Sequence, residues 1–248
     1  MSRRRLGGSH RPWPVPAAPW VMRMSWHDLC FLHWRVDPEA IAPRLPEGLE
    51  LETYDGSAWV GVVPFRMTDV SPRGVPRIRR LGDFAELNVR TNVSAGGKPG
   101  VWFFSLDATS PLAVRIARGL FCLPYLDARI ETRRDGDAVR YTSVRTHLGA
   151  GPAELTVRYR PTGPSTQSPP GSLEHFLTER YCLYAANRRG QLLRQEIDHA
   201  PWPLQPATAE IERCTMTRPL GIDLGTEPPL AHFAERLDVV SWLPRRVR

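Results

Sequence analysis

Lysine is almost missing from this chain: of 33 lysines and arginines, Lys98 is the single lysine. A reactive side-chain amine therefore has one residue to come from. Lys98 stands in "SAGGKPG", where a glycine pair and a proline predict a hairpin tip rather than a nucleophile. Cysteine is sparse as well. Cys30, Cys122, Cys182 and Cys214 lie far apart with no C-x-x-C pair, which excludes a thiolate metal site and a redox dithiol and reads as free thiols of a reducing, cytoplasmic protein. Nowhere do about eighteen apolar residues run together, so no membrane-spanning helix is expected. The opening "MSRRRLGGSHRPWPVPAAPW" has the arginines of an export signal but not its apolar stretch. H-E-x-x-H, G-x-S-x-G, G-x-G-x-x-G and the phosphate loop are all absent. Seven histidines are scattered; His27 and His33 could share a strand face, but no third ligand is placed beside them. Neither a metal nor a cofactor is expected.

Arginine is what the chain has in plenty, and its placement matters more than the net charge of +7. Arg3, Arg4, Arg5, Arg11 and Arg23 precede the first acid, and Arg245, Arg246 and Arg248 close the chain. Without those eight charges the body carries about −1, which is no footprint for a nucleic-acid groove. The pattern divides the chain into a flexible Pro/Arg-rich arm over residues 1–22, a single domain over 23–240 and a basic tail over 241–248. At 248 residues such a domain buries a core without disulfides.

Along the body the signals are mostly those of short strands. "SWHDLCFLHWRV" reads as a strand, and Asp37 with Pro38 opens a short helix that Pro43 and Pro46 stop. Asp55-Gly56 marks a turn into "SAWVGVVPFRMTDV", and "DFAELNVRTNV" with "GVWFFSLDA" predicts a hairpin around "SAGGKPG". Ser110 and Pro111 open a second helix that ends by Pro124. Asp135-Gly136 joins two further strands, "YRPTGPSTQSPPGS" reads as a mobile loop, and "SLEHFLTERY" as a helix. Few helices and no βαβ alternation predict a mainly β fold, an antiparallel barrel or sandwich.

The strongest chemical pattern is "FAELNVR". The period of two puts Glu86, Asn88 and Arg90 on one face of a strand, with Leu87 and Val89 on the other. That polar face looks either into solvent or into a pocket. The neighbouring strand is apolar on both faces, Trp102, Phe104 and Leu106 alternating with Val101 and Phe103, which suits an enclosed pocket. Tyr125, after a helix end and a proline, holds its phenol in a fixed direction or is an ordinary half-buried tyrosine.

These stretches resemble the acetoacetate-decarboxylase-like superfamily, and more closely its YqjF-like family, a group of unknown function. The family likeness spans about residues 24–216, through "WHDLCFLHWRVDPEAIAPRLPEGLEL", "FAELNVRTNV", "GVWFFSLDA", "LTERYCLYA" and "HAPWPLQPA". Likeness to the decarboxylases themselves rests on "DPEAIAPRLPEGLEL", "FAE" and "RGLFCLPYLDA". It implies a β-barrel-like fold around a small-molecule pocket, often in a homo-oligomer. The decarboxylases work through a lysine that forms an imine, activated by a second lysine. In "LPYLD" the resemblance puts Tyr125 at the reactive position and Leu126 at the helper, and neither forms an imine. Glu86 matches a glutamate of the family's active site, His27 falls where decarboxylases have a pocket arginine, and Arg66 where they have a second glutamate.

Three functions fit these residues. In the first, a pocket binds a small carbonyl or carboxylate compound, with Arg66 or Arg90 clamping a carboxylate, Tyr125 or Asn88 donating to a carbonyl, and Trp102 as wall. In the second, Glu86 moves a proton beside a carbonyl while Tyr125 and His27 stabilise an oxyanion. In the third, Glu86 and Arg90 are a structural ion pair and the protein acts through its surface. No nucleic-acid or membrane partner is expected in any of them.

Overall fold

The computed structural model describes residues 7–76 and 82–247; Arg3, Arg4, Arg5 and Arg248 of the expected basic ends lie outside them. The first strand, β1 (Met22–Val36), is followed by a single helical turn, α1 (Pro38–Ile41), which a 3-10 turn over 42–44 extends. Asp37 caps α1 as expected, its carboxylate accepting from the Glu39 backbone N–H at 2.9 Å. After the short β2 (Glu50–Leu51) come two long strands, β3 (Ala58–Pro72) and β4 (Phe84–Ala95). A tight turn at Gly96-Gly97, both at positive φ, folds β4 back into β5 (Lys98–Ala108) and puts Lys98 at the hairpin tip.

From β5 the chain enters α2 (Pro111–Leu120), capped by Ser110, and returns in β6 (Tyr125–Asp135). β6 lies parallel to β5. This strand–helix–strand crossover sets a parallel pair within the expected mainly β, mainly antiparallel fold. The apolar pattern of these strands is too short to reveal direction, which the helix between them decides. β7 (Ala138–Arg145) and β8 (Glu154–Pro161) continue antiparallel. A short helix, α3 (Leu173–Thr178), leads to β9 (Cys182–Ala186), β10 (Leu192–Asp198), β11 (Gln205–Cys214), β12 (Leu230–Ser241) and β13 (Arg245–Arg246).

Two closed circuits of paired strands share one wall. The first runs β12-β1-β3-β4-β5-β9-β10 and back to β12. The second leaves β5 through β6, β7, β8 and β11 and rejoins at β12. Because side chains alternate along a strand, β1, β3 and β4 serve both interiors. Leu29, Phe31, Val63, Phe65 and Met67 face the first circuit; Cys30, Leu32, Val60, Val62, Leu87 and Val89 face the second.

The ends of the chain differ from expectation. The described part of the arm is docked, not loose: Arg11 is buried, pairs with Glu196 at 2.5 Å, and lies 3.6 Å from Asp198. Trp13 donates its indole N–H to Glu196 at 2.7 Å. A cation desolvated by Tyr181 and Trp13 is held only where carboxylates meet it, a partnership composition does not reveal. Likewise Arg245 and Arg246 pair with β10. Of the Pro-rich stretch 159–172 expected as a mobile loop, residues 159–161 end β8 and the rest is pinned by a backbone bridge between Thr166 and Leu204.

Candidate functional site

The first circuit is not filled. A cavity of about 420 Å³ remains inside it, lined by β1, β3, β4, β5 and β10 and roofed by α2. Its wall is mostly apolar, with Met24, Trp26, Phe65, Phe103 and Leu106 prominent. Glu86, Asn88 and Arg90 project from β4 into it, and Tyr125 reaches it from the start of β6. The alternation in "FAELNVR" thus resolves to an enclosed face rather than a solvent face.

Glu86 is buried, 2% exposed. Tyr125 donates its phenol O–H to Glu86 Oε2 at 2.7 Å, and Tyr141, from the second circuit, donates to the Glu86 carbonyl at 2.7 Å. Burial pushes the Glu86 carboxyl up to about 8, hydrogen bonds from Tyr125 and Asn88 pull it down, and the Asp107 charge raises it. At neutral pH it is mostly the neutral acid. Burial, then the Glu86 charge, raises the Tyr125 phenol well above its ordinary range. Asp107 itself is held by a two-pronged bond from Arg145, at 2.7 and 2.8 Å. Arg90 donates to the Leu177 carbonyl at 3.2 Å and lies over the Phe31 ring at 5.0 Å; burial beside Arg180 lowers its affinity for the proton.

Polar capacity is left over on this face. Asn88 Oδ1, Arg90 Nε and Gln195 Oε1 are buried with no hydrogen-bond partner. Gln195 is a site residue the sequence reading missed, although "LRQEID" holds a signal: Leu193, Gln195 and Ile197 share a strand face, and one amide interrupts an apolar row. Arg180, Thr178, His199 and Trp202 also line the cavity. Thr178 ends α3 and the others come from loops, where periodicity has nothing to say. His199 is locked between the carbonyls of Ala200 at 2.7 Å and Arg180 at 3.1 Å, and burial lowers its pKa.

Three expected residues lie elsewhere, two of them because a β-bulge reverses the alternation. At Asp28, with φ of 51°, β1 slips against β3; Trp26 and Leu29 both face inward while His27 faces out. His27 is bonded to Thr68 at 3.0 Å, and burial, with Arg66 and Arg236 nearby, lowers its pKa. Arg66 stands opposite it on the outer face, 3.8 Å from Asp28, because Phe65 and Met67 take the inward positions of β3. Trp102 is the third. β5 carries an extra residue between the pairs Val89–Ser105 and Arg90–Phe103, so Phe103 and Leu106 share the inner face and Trp102 turns away. Lys98 does not line the cavity; it lies 3.3 Å from Glu196 and 5.0 Å from the Trp13 ring. Among the described residues, no three His, Cys, Asp or Glu gather as a metal site.

Comparison with known proteins agrees with this architecture. The enduracididine biosynthesis enzyme MppR matches with a TM-score of 0.63 at 13% identity, over 93% of this chain and 88% of that one. Acetoacetate decarboxylase of Legionella pneumophila matches with a TM-score of 0.61 at 16% identity, over 100% and 98%. At such identities the likeness is one of fold, acetoacetate-decarboxylase-like. An uncharacterised protein of Bacillus subtilis, YqjF, is 42% identical over 232 residues, 94% of this chain and 95% of that protein. With a family model matching residues 23–238 as well, the chain belongs to the DUF2071 family of uncharacterised conserved proteins.

Proposed function

We propose that this protein binds a small, largely apolar carbonyl or carboxylate compound in the cavity between β4 and α2. The observation that carries the reading is the set of buried, unpartnered polar atoms, Asn88 Oδ1, Arg90 Nε and Gln195 Oε1, on side chains that line the cavity. Leaving a buried donor or acceptor unmade costs about 1–3 kcal/mol each, a cost that a ligand carrying the matching groups removes. Arg90 suits a carboxylate, Asn88 and the Glu86–Tyr125 pair suit a carbonyl, and the apolar wall suits the remainder. By the resemblance drawn above, Tyr125 occupies the place of the imine-forming lysine, so no covalent adduct is expected. MppR, of the same fold, is described in complex with pyruvate. The test is thermal shift of the purified protein against keto acids, enones, quinones and aromatic acids. A compound near a hundred times its Kd adds about 2.7 kcal/mol, several degrees at this size. If no class shifts the protein, or Asn88→Leu responds as wild type does, the reading falls.

The raised Glu86 pKa supports a second reading, a non-covalent acid–base enzyme such as an isomerase or lyase. The ionised carboxylate takes a proton from the carbon beside a bound carbonyl, Tyr125 and Arg90 stabilise the enolate oxygen, and the proton returns. His27 has no part in it, being outside the cavity. Proton–deuterium exchange of bound ketones in D2O reads this directly. The rate should rise with pH to a plateau above about 8 and vanish in Glu86→Gln; exchange unaffected by that substitution refutes it. The concavity beside Glu86 favours both readings over a purely structural role.

A further inference from the structure

The body's charge of about −1 conceals a local excess. A groove of about 930 Å³ opens between α2, β5 and the β9–β10 turn, and Arg44, Arg115, Arg118, Arg188 and Arg189 line it with no acidic residue among its walls. Its position follows from the sheet. β9 pairs with β5 at Val101 and Trp102, and β6 takes over the same edge at Leu106. Between those points the two neighbours diverge, and no strand among the described residues pairs with residues 103–105 on that edge. Parallel strands splayed beside a crossover helix leave a crevice of the sort that ligands fill in α/β sheets. Its floor is aromatic, with Trp102 and Phe104 half-buried.

The cations are placed, not merely numerous. Arg118 donates to the Tyr125 carbonyl at 2.7 Å and Arg44 to the Leu220 carbonyl at 2.7 Å. These contacts fix the side chains without neutralising them. Arg188 and Arg189 ride on a turn that Asn187 rigidifies, its Oδ1 accepting from Arg189 N at 2.9 Å and Gln191 N at 3.0 Å. Arg115, Arg188 and Arg189 make no ion pair among the described residues. Like charges gathered on stiff supports without a counter-charge repel one another, and an anion relieves that repulsion while losing little to reorganisation.

We propose that this groove is a second binding site, for a nucleotide-like ligand whose phosphates meet Arg115, Arg188 and Arg189 and whose ring lies on Trp102 and Phe104. Guanidinium pairs fit phosphate oxygens, and flat rings take an aromatic floor. The groove adjoins the cavity, sharing Phe103 and Leu123 as a wall, but does not depend on what the cavity binds. Isothermal titration with ATP, adenosine and inorganic tripolyphosphate, at low and physiological salt, tests it. ATP should bind, weaken with salt, and exceed tripolyphosphate by at least about threefold, the ring's share. The double variant Arg188→Ala/Arg189→Ala lies on an exposed turn and keeps the wild-type melting temperature. It should lose about tenfold or more in ATP affinity and keep any thermal shift from a cavity ligand. No ATP binding, equal binding of tripolyphosphate, an undiminished double variant, or an oligonucleotide that outcompetes ATP in proportion to its length each overturns the proposal.

Discussion

Two interiors share the wall of β1, β3 and β4, and they obey different rules. On the second-circuit side, Leu87 and Val89 meet Tyr141, Leu155, Val157 and Tyr159, all buried. Its tyrosines spend their hydroxyls on backbone carbonyls, Tyr141 on Glu86 and Tyr159 on Asp28, each at 2.7 Å. On the other face of the same strand, one residue away, Glu86, Asn88 and Arg90 border empty volume, and Asn88 and Arg90 hold polar atoms without partners. One face is closed for stability and the other is kept open at a cost in stability. The proposed ligand would complete the unpaired groups on the open face.

The largest effect expected from this contrast is pH dependence. Glu86 has a folded pKa raised to about 8, so its contribution is fully present below the unfolded carboxyl's pKa and is lost as pH rises through 8. Between pH 5 and pH 9 wild type should lose ~4 kcal/mol more stability than Glu86→Gln. Denaturant titrations of both proteins across that range check it, and parallel curves refute the neutral acid. Next, Leu155→Ala in the closed interior should cost about 3 kcal/mol. The equivalent truncation Leu106→Ala, which borders a void already there, should cost about 1 kcal/mol less. Chemical denaturation compares them; equal costs would mean the first interior is packed after all.

Asn88→Leu sharpens the comparison from the open side. Replacing an amide whose carbonyl has no partner should change stability by under about 1 kcal/mol, or raise it, while abolishing the response to a cavity ligand. A large loss of stability together with intact binding would assign Asn88 to the scaffold instead. The smallest effect belongs to the lone lysine. Lys98→Ala removes a partly exposed pair with Glu196 and a contact over Trp13, and should cost under about 1 kcal/mol with ligand response unchanged.

What the sequence by itself determined is local. The caps at Asp37 and Ser110, the Gly96-Gly97 turn and the shared face of Glu86, Asn88 and Arg90 follow from side-chain chemistry and the two-residue period, and all are found where the pattern puts them. Tertiary structure decided the rest. One extra residue in β1 and one in β5 reversed the alternation, sending His27 and Trp102 outward and Leu29 and Phe103 inward. No propensity marks those slips, because they answer to how the neighbouring strands register. The parallel return of β6, the docking of Arg11 on Glu196 and the arginine groove at the fork of β5 likewise join residues distant in the chain. A period of two reports which side of its own strand a residue takes. Only the closed circuits determine what that side encloses.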